Sequence, residues 1–286
     1  MRRRVLLLAG SALGLAGGLG FTAYSPVTVL NAFAPGAFTV KRNLAYRPGP
    51  RGRMDLYLPR QAQGAPLVVF FYGGSWQEGD KAMYRFVGAA LASRGCMVAI
   101  PDYRLYPQVR FPEFLEDCAS ATDFARRLAP SAPLVLMGHS AGAYNAAMLA
   151  LDGQFLAPHG LDPQRDLAGW LGLAGPYDFL PITDPALQRM FGPRAQWPRT
   201  QPINFVTPGV PPAFLAAGLA DRTVDPGNSE RLAAKLRAHG DAVELALYPG
   251  LDHRKLVGAL SPYLTFLAPV LRDCIAFINK VAPSAR

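Results

Sequence analysis

Short, continuous apolar runs alternate along the chain with longer stretches in which apolar residues recur at helical spacing. The runs predict buried strands at residues 66–72, 97–100, 134–137, 168–173, 213–217 and 243–247. Helices are predicted at residues 81–94, 111–128, 143–150, 227–238 and 264–281. Because strands and helices alternate, we expect an α/β fold with one doubly wound sheet whose strands are mostly parallel.

Two segments depart from this alternation. Residues 39–47 and 53–58 are strand-like and flank a Pro/Gly-rich turn, which predicts an antiparallel N-terminal hairpin at the edge of the sheet. Residues 176–212 are rich in proline and have few periodic apolar positions, so they predict a small lid over the site. A chain of 286 residues, half of them hydrophobic, suits one large domain, which we place at residues 25–286.

Residues 1–24 carry the features of an export segment. Three arginines at positions 2–4 precede a run rich in glycine, alanine and leucine, and no charged residue occurs at positions 5–40. A basic start followed by an apolar stretch is typical of a signal peptide, and this stretch is also long enough to span a bilayer. We therefore expect the protein to be exported (periplasmic or secreted) or anchored in a membrane by this segment. An ordinary buried N-terminal helix is the alternative.

Composition and charge exclude several other classes of function. The net charge is +9, but the basic residues beyond the N-terminus are scattered, so no nucleic-acid partner is predicted. The three cysteines are far apart and odd in number, which favours buried free thiols over a zinc or redox site. The chain also lacks HExxH, a Walker A loop and a complete GxGxxG, so neither a metal nor an organic cofactor is predicted.

The strand predicted at residues 134–137 runs directly into the pentapeptide GHSAG at residues 138–142. A Gly-x-Ser-x-Gly motif between a strand and a helix is typical of a nucleophile elbow, in which a serine lies on a strained turn. The flanking glycines have no Cβ to crowd that turn. Ser140 is therefore the candidate nucleophile.

A serine hydroxyl needs a general base, and the base needs a carboxylate that orients it. With a nucleophile elbow, these groups follow in the order serine, acid, histidine. His253 comes just after the last predicted strand and is the candidate base. The other histidines fit less well: His139 lies beside the serine and is expected to point elsewhere, and two more, His159 and His239, precede glycines.

Three aspartates compete for the role of the acid. Asp221 follows the carboxyl end of a predicted strand, where sites of α/β proteins are built, and is the candidate. Asp225 precedes Pro226 and a helix, so we expect it to cap that helix. Asp252 is a weaker competitor, because side chains adjacent in sequence seldom face each other on extended backbone.

An acyl-transfer site also needs hydrogen-bond donors for the oxyanion of the tetrahedral intermediate. The N–H of Ala141 is one candidate. Gly73 and Gly74, in the loop after the first buried strand, allow the backbone to approach a substrate closely. Trp76, in the same loop, is predicted to wall the pocket, with an ordinary place in the core as the alternative.

Several segments together resemble the esterase/arylformamidase branch of the α/β-hydrolases, which is related to the hormone-sensitive-lipase-like carboxylesterases. They are the loop at residues 73–81, residues 101–105, Asp117 and the elbow at residues 138–142. The resemblance spans roughly residues 53–257 and implies the α/β-hydrolase fold. It also implies a triad and an oxyanion site, formed by Ser140, Asp221 and His253, and by Gly73, Gly74 and Ala141.

One position departs from the pattern of the branch. The branch typically has His-Gly-Gly-x-Trp where this chain has Tyr72-Gly73-Gly74-Ser75-Trp76. In the family that histidine usually buttresses the loop, and a tyrosine can do so in a similar way. The charged groups at residues 102–104 and at Asp117 are interpreted as scaffold that braces loops behind the site.

The predicted function is that of a serine hydrolase that cleaves small-molecule carboxylic esters through an acyl-enzyme. The alternatives are an amidase, such as an N-formylkynurenine hydrolase (arylformamidase), and a catalytically inactive hydrolase fold used for binding. The triad does not separate esters from amides, because the same groups serve both reactions. The export segment disfavours an intracellular role in tryptophan catabolism.

Overall fold

One eight-stranded sheet organises the protein, in the strand order β1-β2-β4-β3-β5-β6-β7-β8. The computed structural model describes residues 30–31 and 36–283. The strands are β1 (Phe38–Ala45), β2 (Arg53–Pro59), β3 (Leu67–Phe71), β4 (Met97–Pro101), β5 (Leu134–His139), β6 (Leu167–Leu173), β7 (Ala213–Gly218) and β8 (Val243–Tyr248). β1 and β2 form an antiparallel hairpin, β2 pairs antiparallel with β4, and the pairs from β4 to β8 are parallel. The predicted mostly parallel sheet with an antiparallel N-terminal hairpin is confirmed.

Helices separate the parallel strands. Those that lie wholly within the described residues are α1 (Arg85–Ala92), α2 (Glu113–Leu128), α3 (Ala141–Leu151), α4 (Pro163–Asp166), α5 (Pro185–Phe191), α6 (Gly227–Ala238), α7 (His253–Gly258) and α8 (Val270–Val281). Short 3₁₀ helices occur at Lys81–Tyr84, Ala157–His159, Arg194–Thr200 and Pro202–Phe205. α6 has its predicted bounds, whereas α8 begins at Val270 and not at residue 264, because Pro269 occupies its N-cap and turns precede it.

The centre of the sheet forms the core. Every residue of β3, β4, β5 and β7 is buried, as their continuous apolar runs predict. The carboxyl ends of β3, β5, β7 and β8 lie at the same edge of the sheet and lead into the loops that carry the candidate site residues.

The predicted export or anchor segment, residues 1–24, lies outside the described residues. Among the described residues, no helix is long and apolar enough to cross a membrane. The three cysteines, Cys96, Cys118 and Cys274, are free and buried, as predicted.

The elbow is packed tightly against the neighbouring strand β3. A Cβ atom built on Gly142, at the start of α3, would lie 2.0 Å from the backbone oxygen of Phe71. A backbone atom cannot swing away as the end of a flexible side chain can. The glycine at this position is therefore required by space.

We expect Gly142→Ala to lower the free energy of unfolding by about 3 kcal/mol, because the added methyl group forces α3 and β3 apart. Gly153→Ala is the matched control, since a Cβ there would lie 3.6 Å from Pro163 Cδ, an ordinary contact. Urea unfolding of both variants measures the difference. Equal midpoints for the two variants would show that the elbow tolerates a side chain at Gly142.

Candidate active site

Ser140 forms the turn between β5 and α3 and has a strained backbone. Its φ of 56° and ψ of −124° lie in a region that residues with a side chain rarely adopt. Its N–H donates to the carbonyl of Leu173 at the end of β6, at 2.8 Å, which fixes the turn to the neighbouring strand. The structure thus has the elbow geometry that the GHSAG motif predicts.

Three side chains from the ends of different strands form a hydrogen-bonded line. His253 Nε2 lies 2.8 Å from Ser140 Oγ, and His253 Nδ1 lies 2.7 Å from Asp221 Oδ2. The Asp221 side chain has no solvent exposure, and that of His253 is 12% exposed. Because an ionised carboxylate only accepts hydrogen bonds, Nδ1 carries the proton and Nε2 is free to accept the proton of the serine hydroxyl.

The carboxylate of Asp221 is itself held in place. Its Oδ1 accepts the N–H groups of Thr223 and Val224, at 2.8 and 3.0 Å, within the loop that follows β7. These bonds leave Oδ2 to face His253. The orientation of the histidine ring therefore depends on a carboxylate that cannot rotate freely.

The competing aspartates have other partners. Asp252 caps α7, and its Oδ1 accepts the N–H groups of Arg254 and Lys255. Asp225 accepts the N–H of Gly227 at the start of α6, but the N-cap of that helix is Pro226, one residue later than the predicted cap. Neither is hydrogen-bonded to His253. The sequence did not predict α7, the short helix that begins at His253 itself.

The prediction that His139 points away from the site is wrong. The ring of His139 packs against that of His253, with centroids 4.7 Å apart, and its Nε2 lies 3.1 Å from the His253 carbonyl oxygen. A carbonyl accepts, so Nε2 carries the proton. Burial, with a smaller effect of the neighbouring His253, lowers the pKa of His139 to about 3. His139 is thus neutral near pH 7 and holds the backbone of His253.

The candidate oxyanion donors differ from the predicted set at one position. Ala141 is the first residue of α3, where the helix leaves an N–H without an intrahelical partner. The N–H of Gly73 donates to Tyr84 Oη at 3.3 Å and is already used. Gly73 instead provides space, since a Cβ there would lie 2.9 Å from Ser140 Cβ.

Two other amides of the loop are available. The N–H groups of Gly74 and Ser75 donate to no backbone or side-chain acceptor in the described part of the chain. Ser75 also lines the cleft beside Ser140, a position that motif reasoning missed. Gly74, Ser75 and Ala141 are thus the candidate donors.

The loop that carries these donors is strained. Gly74, Ser75 and Trp76 have positive φ angles of 129°, 52° and 58°. Each such non-glycine residue costs about 1–3 kcal/mol, which the contacts around the loop must offset. One of these contacts is the indole N–H of Trp76, which donates to Asn145 Oδ1 at 2.9 Å.

Trp76 fits both of the alternatives left open by the sequence, a wall of the pocket and a place in the core. It lines the cleft, yet only 3% of its surface is exposed. Its ring packs edge-on against Tyr144 and Phe191, with centroids 5.0 and 5.1 Å apart. The wall of the cleft is thus part of the core.

The cleft beside Ser140 has a volume of about 390 Å³. Its apolar lining includes Trp76, Phe179, Leu180 and Leu187. Its polar lining includes Arg231, which pairs with Asp178 and Asp225. Several lining residues come from the first part of residues 176–212; the function of this segment as a lid stays a prediction. Among the described residues, no group of three or more His, Cys, Asp or Glu side chains could hold a metal ion.

The predicted scaffold residues lie behind the loop. Asp117 receives two side-chain bonds from Arg104, each at 2.8 Å, and one from Arg47 at 3.0 Å. The carboxylate of Asp102 accepts the backbone N–H of Lys81 at 2.8 Å. These ion pairs and hydrogen bonds join the N-terminal hairpin to the helices around the site.

The BD-FAE family model matches residues 54–236, which is more than half of the chain. The chain belongs to the BD-FAE family. It lies in the esterase/arylformamidase branch of the α/β-hydrolases, as the resemblance implied.

Named relatives extend this assignment. Isoprenylcysteine α-carbonyl methylesterase ICME of Arabidopsis thaliana is 30% identical over 243 residues, covering 76% of this chain and 57% of the relative. Kynurenine formamidase of Drosophila melanogaster is 27% identical over 221 residues, covering 70% of each chain. A truncated form of a carbohydrate esterase from gut microbiota has the same fold, with a TM-score of 0.72 and 21% identity over 85% of this chain and 96% of that one. This chain spans little more than half the length of the plant methylesterases it matches.

Proposed function

We propose that the protein hydrolyses carboxylic esters of small molecules through an acyl-enzyme formed on Ser140. The observation that carries the proposal is the hydrogen-bonded line from Asp221 through His253 to Ser140, at 2.7 and 2.8 Å. The methylesterase and carbohydrate esterase relatives support an ester as the substrate.

In the first half of the reaction, Ser140 Oγ attacks the ester carbonyl while His253 Nε2 takes its proton. Asp221 stabilises the imidazolium that forms and keeps the ring in its productive orientation. The N–H groups of Ala141, Gly74 and Ser75 stabilise the oxyanion. His253 then gives its proton to the departing alcohol.

In the second half, His253 activates a water molecule, which attacks the acyl group on Ser140. The proton returns to Ser140 as the carboxylic acid leaves. His139 takes no part in these transfers, because its Nε2 proton is bonded to a carbonyl and its pKa of about 3 keeps it neutral. One histidine therefore acts as base and as acid in turn.

A second candidate function is the hydrolysis of a formyl amide such as N-formylkynurenine. The similarity to kynurenine formamidase of Drosophila melanogaster, which covers 70% of each chain, favours this function. The catalytic steps are the same, with an amine in place of the alcohol.

Parallel assays test the two functions. The protein is incubated with p-nitrophenyl esters of increasing acyl length, with N-formylkynurenine, and with a fluorophosphonate probe that labels activated serines. Ester turnover together with labelling at Ser140 is the expected result. Faster turnover of N-formylkynurenine would select the amidase, and failure of both substrates and of labelling would leave an inactive hydrolase fold.

We also propose that residues 1–24 direct export or membrane association. The support is the basic start followed by an uncharged apolar run. Fusion of residues 1–40 to alkaline phosphatase, which is active only outside the cytoplasm, tests export. An inactive fusion would overturn it, and fractionation of the full chain tests membrane association.

A further inference from the structure

Arg51 lies in the turn of the N-terminal hairpin, far in sequence from the triad, and contacts the loop that carries the candidate oxyanion donors. One guanidinium nitrogen donates to Tyr72 Oη at 2.9 Å and to the carbonyl of Tyr103 at 3.3 Å. The other terminal nitrogen donates to the carbonyl of Gly79 at 3.0 Å. The Arg51 side chain thus links Tyr72, at the start of the loop, to Gly79, at its far end.

The linked ends enclose the strained part of the loop. Tyr72 and Gly79 flank the positive φ angles of residues 74–76, and the available N–H groups of Gly74 and Ser75 lie within the same segment. A strained backbone persists only where its surroundings over-determine it. The positions of these two amides therefore depend on how firmly both ends of the loop are held.

Tyr72 connects Arg51 to the buried carboxylate of Asp102. Its hydroxyl, which accepts from Arg51, donates to Asp102 Oδ1 at 3.2 Å. Burial, and next the charge of Asp102, raise the pKa of Tyr72, so the hydroxyl keeps the proton that it donates. The same Asp102 oxygen accepts the N–H of Lys81, in the 3₁₀ helix that follows the loop. The bonds thus close a network behind the loop.

We propose that Arg51, acting through Tyr72 and Gly79, is a positioning residue that sets the oxyanion-binding geometry of the loop. This inference rests on the proposed ester hydrolysis. Oxyanion donors act only when they are aimed at the charge that develops in the transition state, so a small displacement lowers the turnover number more than it weakens substrate binding.

The test is Arg51→Met in the full chain, which keeps the length of the side chain and removes its donors. We expect kcat for a p-nitrophenyl ester to fall about tenfold while KM changes less than twofold. Affinity for a trifluoromethyl ketone, which forms the tetrahedral adduct, is expected to fall by the same factor as kcat. Affinity for the product carboxylate is expected to stay within twofold. Arg51→Lys, which retains one donor group, is expected to lie between the wild type and Arg51→Met.

A double-mutant cycle separates positioning from independent effects. If Arg51 acts through Tyr72, the double variant with Tyr72→Phe loses less than the sum of the two single losses. Fully additive losses would overturn the relay through Tyr72.

Arg47→Met is the matched control, because Arg47 lies near Arg51 in the same hairpin but pairs with Asp117. In the described part of the chain, no hydrogen bond or ion pair joins the Arg47 side chain to residues 72–79. Arg47→Met is expected to lower the melting temperature without changing kcat. A wild-type kcat in Arg51→Met, a loss confined to KM, or an equal loss in Arg47→Met would overturn the proposal.

A separate readout distinguishes this inference from the proposed function. If the wild type hydrolyses no ester and is not labelled at Ser140, the proposed function fails. Hydrogen exchange then tests, without any measurement of catalysis, whether Arg51 holds the loop in place. Faster exchange at residues 73–79 in Arg51→Met than in Arg47→Met supports the inference that Arg51 positions the loop. Equal exchange in the two variants overturns it.

Discussion

Replacing Ser140 by alanine is expected to lower kcat/KM for ester hydrolysis about 10⁵-fold. Without Oγ no acyl-enzyme forms, and His253 has no hydroxyl to deprotonate. The fold is expected to remain, because the only hydrogen bond of the Ser140 side chain in the described part of the chain is the one to His253. The strained turn is set by the backbone, whose N–H bond to Leu173 does not involve the side chain.

Steady-state rates with a p-nitrophenyl ester, a thermal melt and fluorophosphonate labelling together measure this effect. Ser229→Ala is the control, since Ser229 is buried in α6 and does not line the cleft. The expected result is an unlabelled, folded and inactive Ser140 variant beside an active Ser229 variant. More than one hundredth of wild-type activity in Ser140→Ala would require a different nucleophile.

The three groups of the candidate triad were predictable because each follows a strand. The order serine, acid, histidine leaves His253 as the histidine after the last strand, and helix-capping rules separate Asp225 from Asp221. The structure agrees in part, because Asp225 accepts the N–H of Gly227 but stands one residue before Pro226, the N-cap of α6. Chain order and local capping are both readable along the sequence, so they need no knowledge of tertiary contacts.

The strands were predicted closely for the same reason, since continuous apolar runs map directly onto buried strands. The helix ends were less well predicted. A periodic pattern continues through residues 264–269, but Pro269 has no N–H and sets the start of α8. The short α7 escaped prediction because its capping signal, Asp252, stands next to a histidine that chain order had already assigned.

Contacts between residues far apart in sequence were not predictable. The sequence gives no sign that Gly73 donates to Tyr84, that His139 bonds to the backbone of His253, or that Arg51 reaches Gly79. These contacts arise only when the hairpin, the glycine loop and the elbow pack together. These contacts determine which N–H groups of the loop are free to donate to an oxyanion. The sequence therefore predicted the loop that carries the donors but not the individual donor atoms.

Replacing Asp221 by asparagine is expected to lower kcat about 10³- to 10⁴-fold with little loss of stability. The amide oxygen can keep the bonds that Oδ1 accepts from Thr223 and Val224. The NH₂ group then occupies the position of Oδ2, 2.7 Å from His253 Nδ1. Because NH₂ donates and does not accept, Nδ1 must become the acceptor and the proton moves to Nε2. A protonated Nε2 cannot take the proton of Ser140, so the base is lost although every side chain stays in place.

Asp252→Asn tests whether this loss is specific to Asp221. Asp252 is adjacent to His253 in sequence, but its carboxylate caps α7, and asparagine caps a helix about as well as aspartate. We expect Asp252→Asn to keep at least half of the wild-type kcat, measured with the same ester and at the same pH as Asp221→Asn. If Asp221→Asn retained more than a tenth of the activity, or if Asp252→Asn lost more than Asp221→Asn, the carboxylate that orients His253 would not be Asp221. The expected contrast arises because the charge and acceptor character of one oxygen, Oδ2 of Asp221, fix the tautomer on which proton transfer from Ser140 depends.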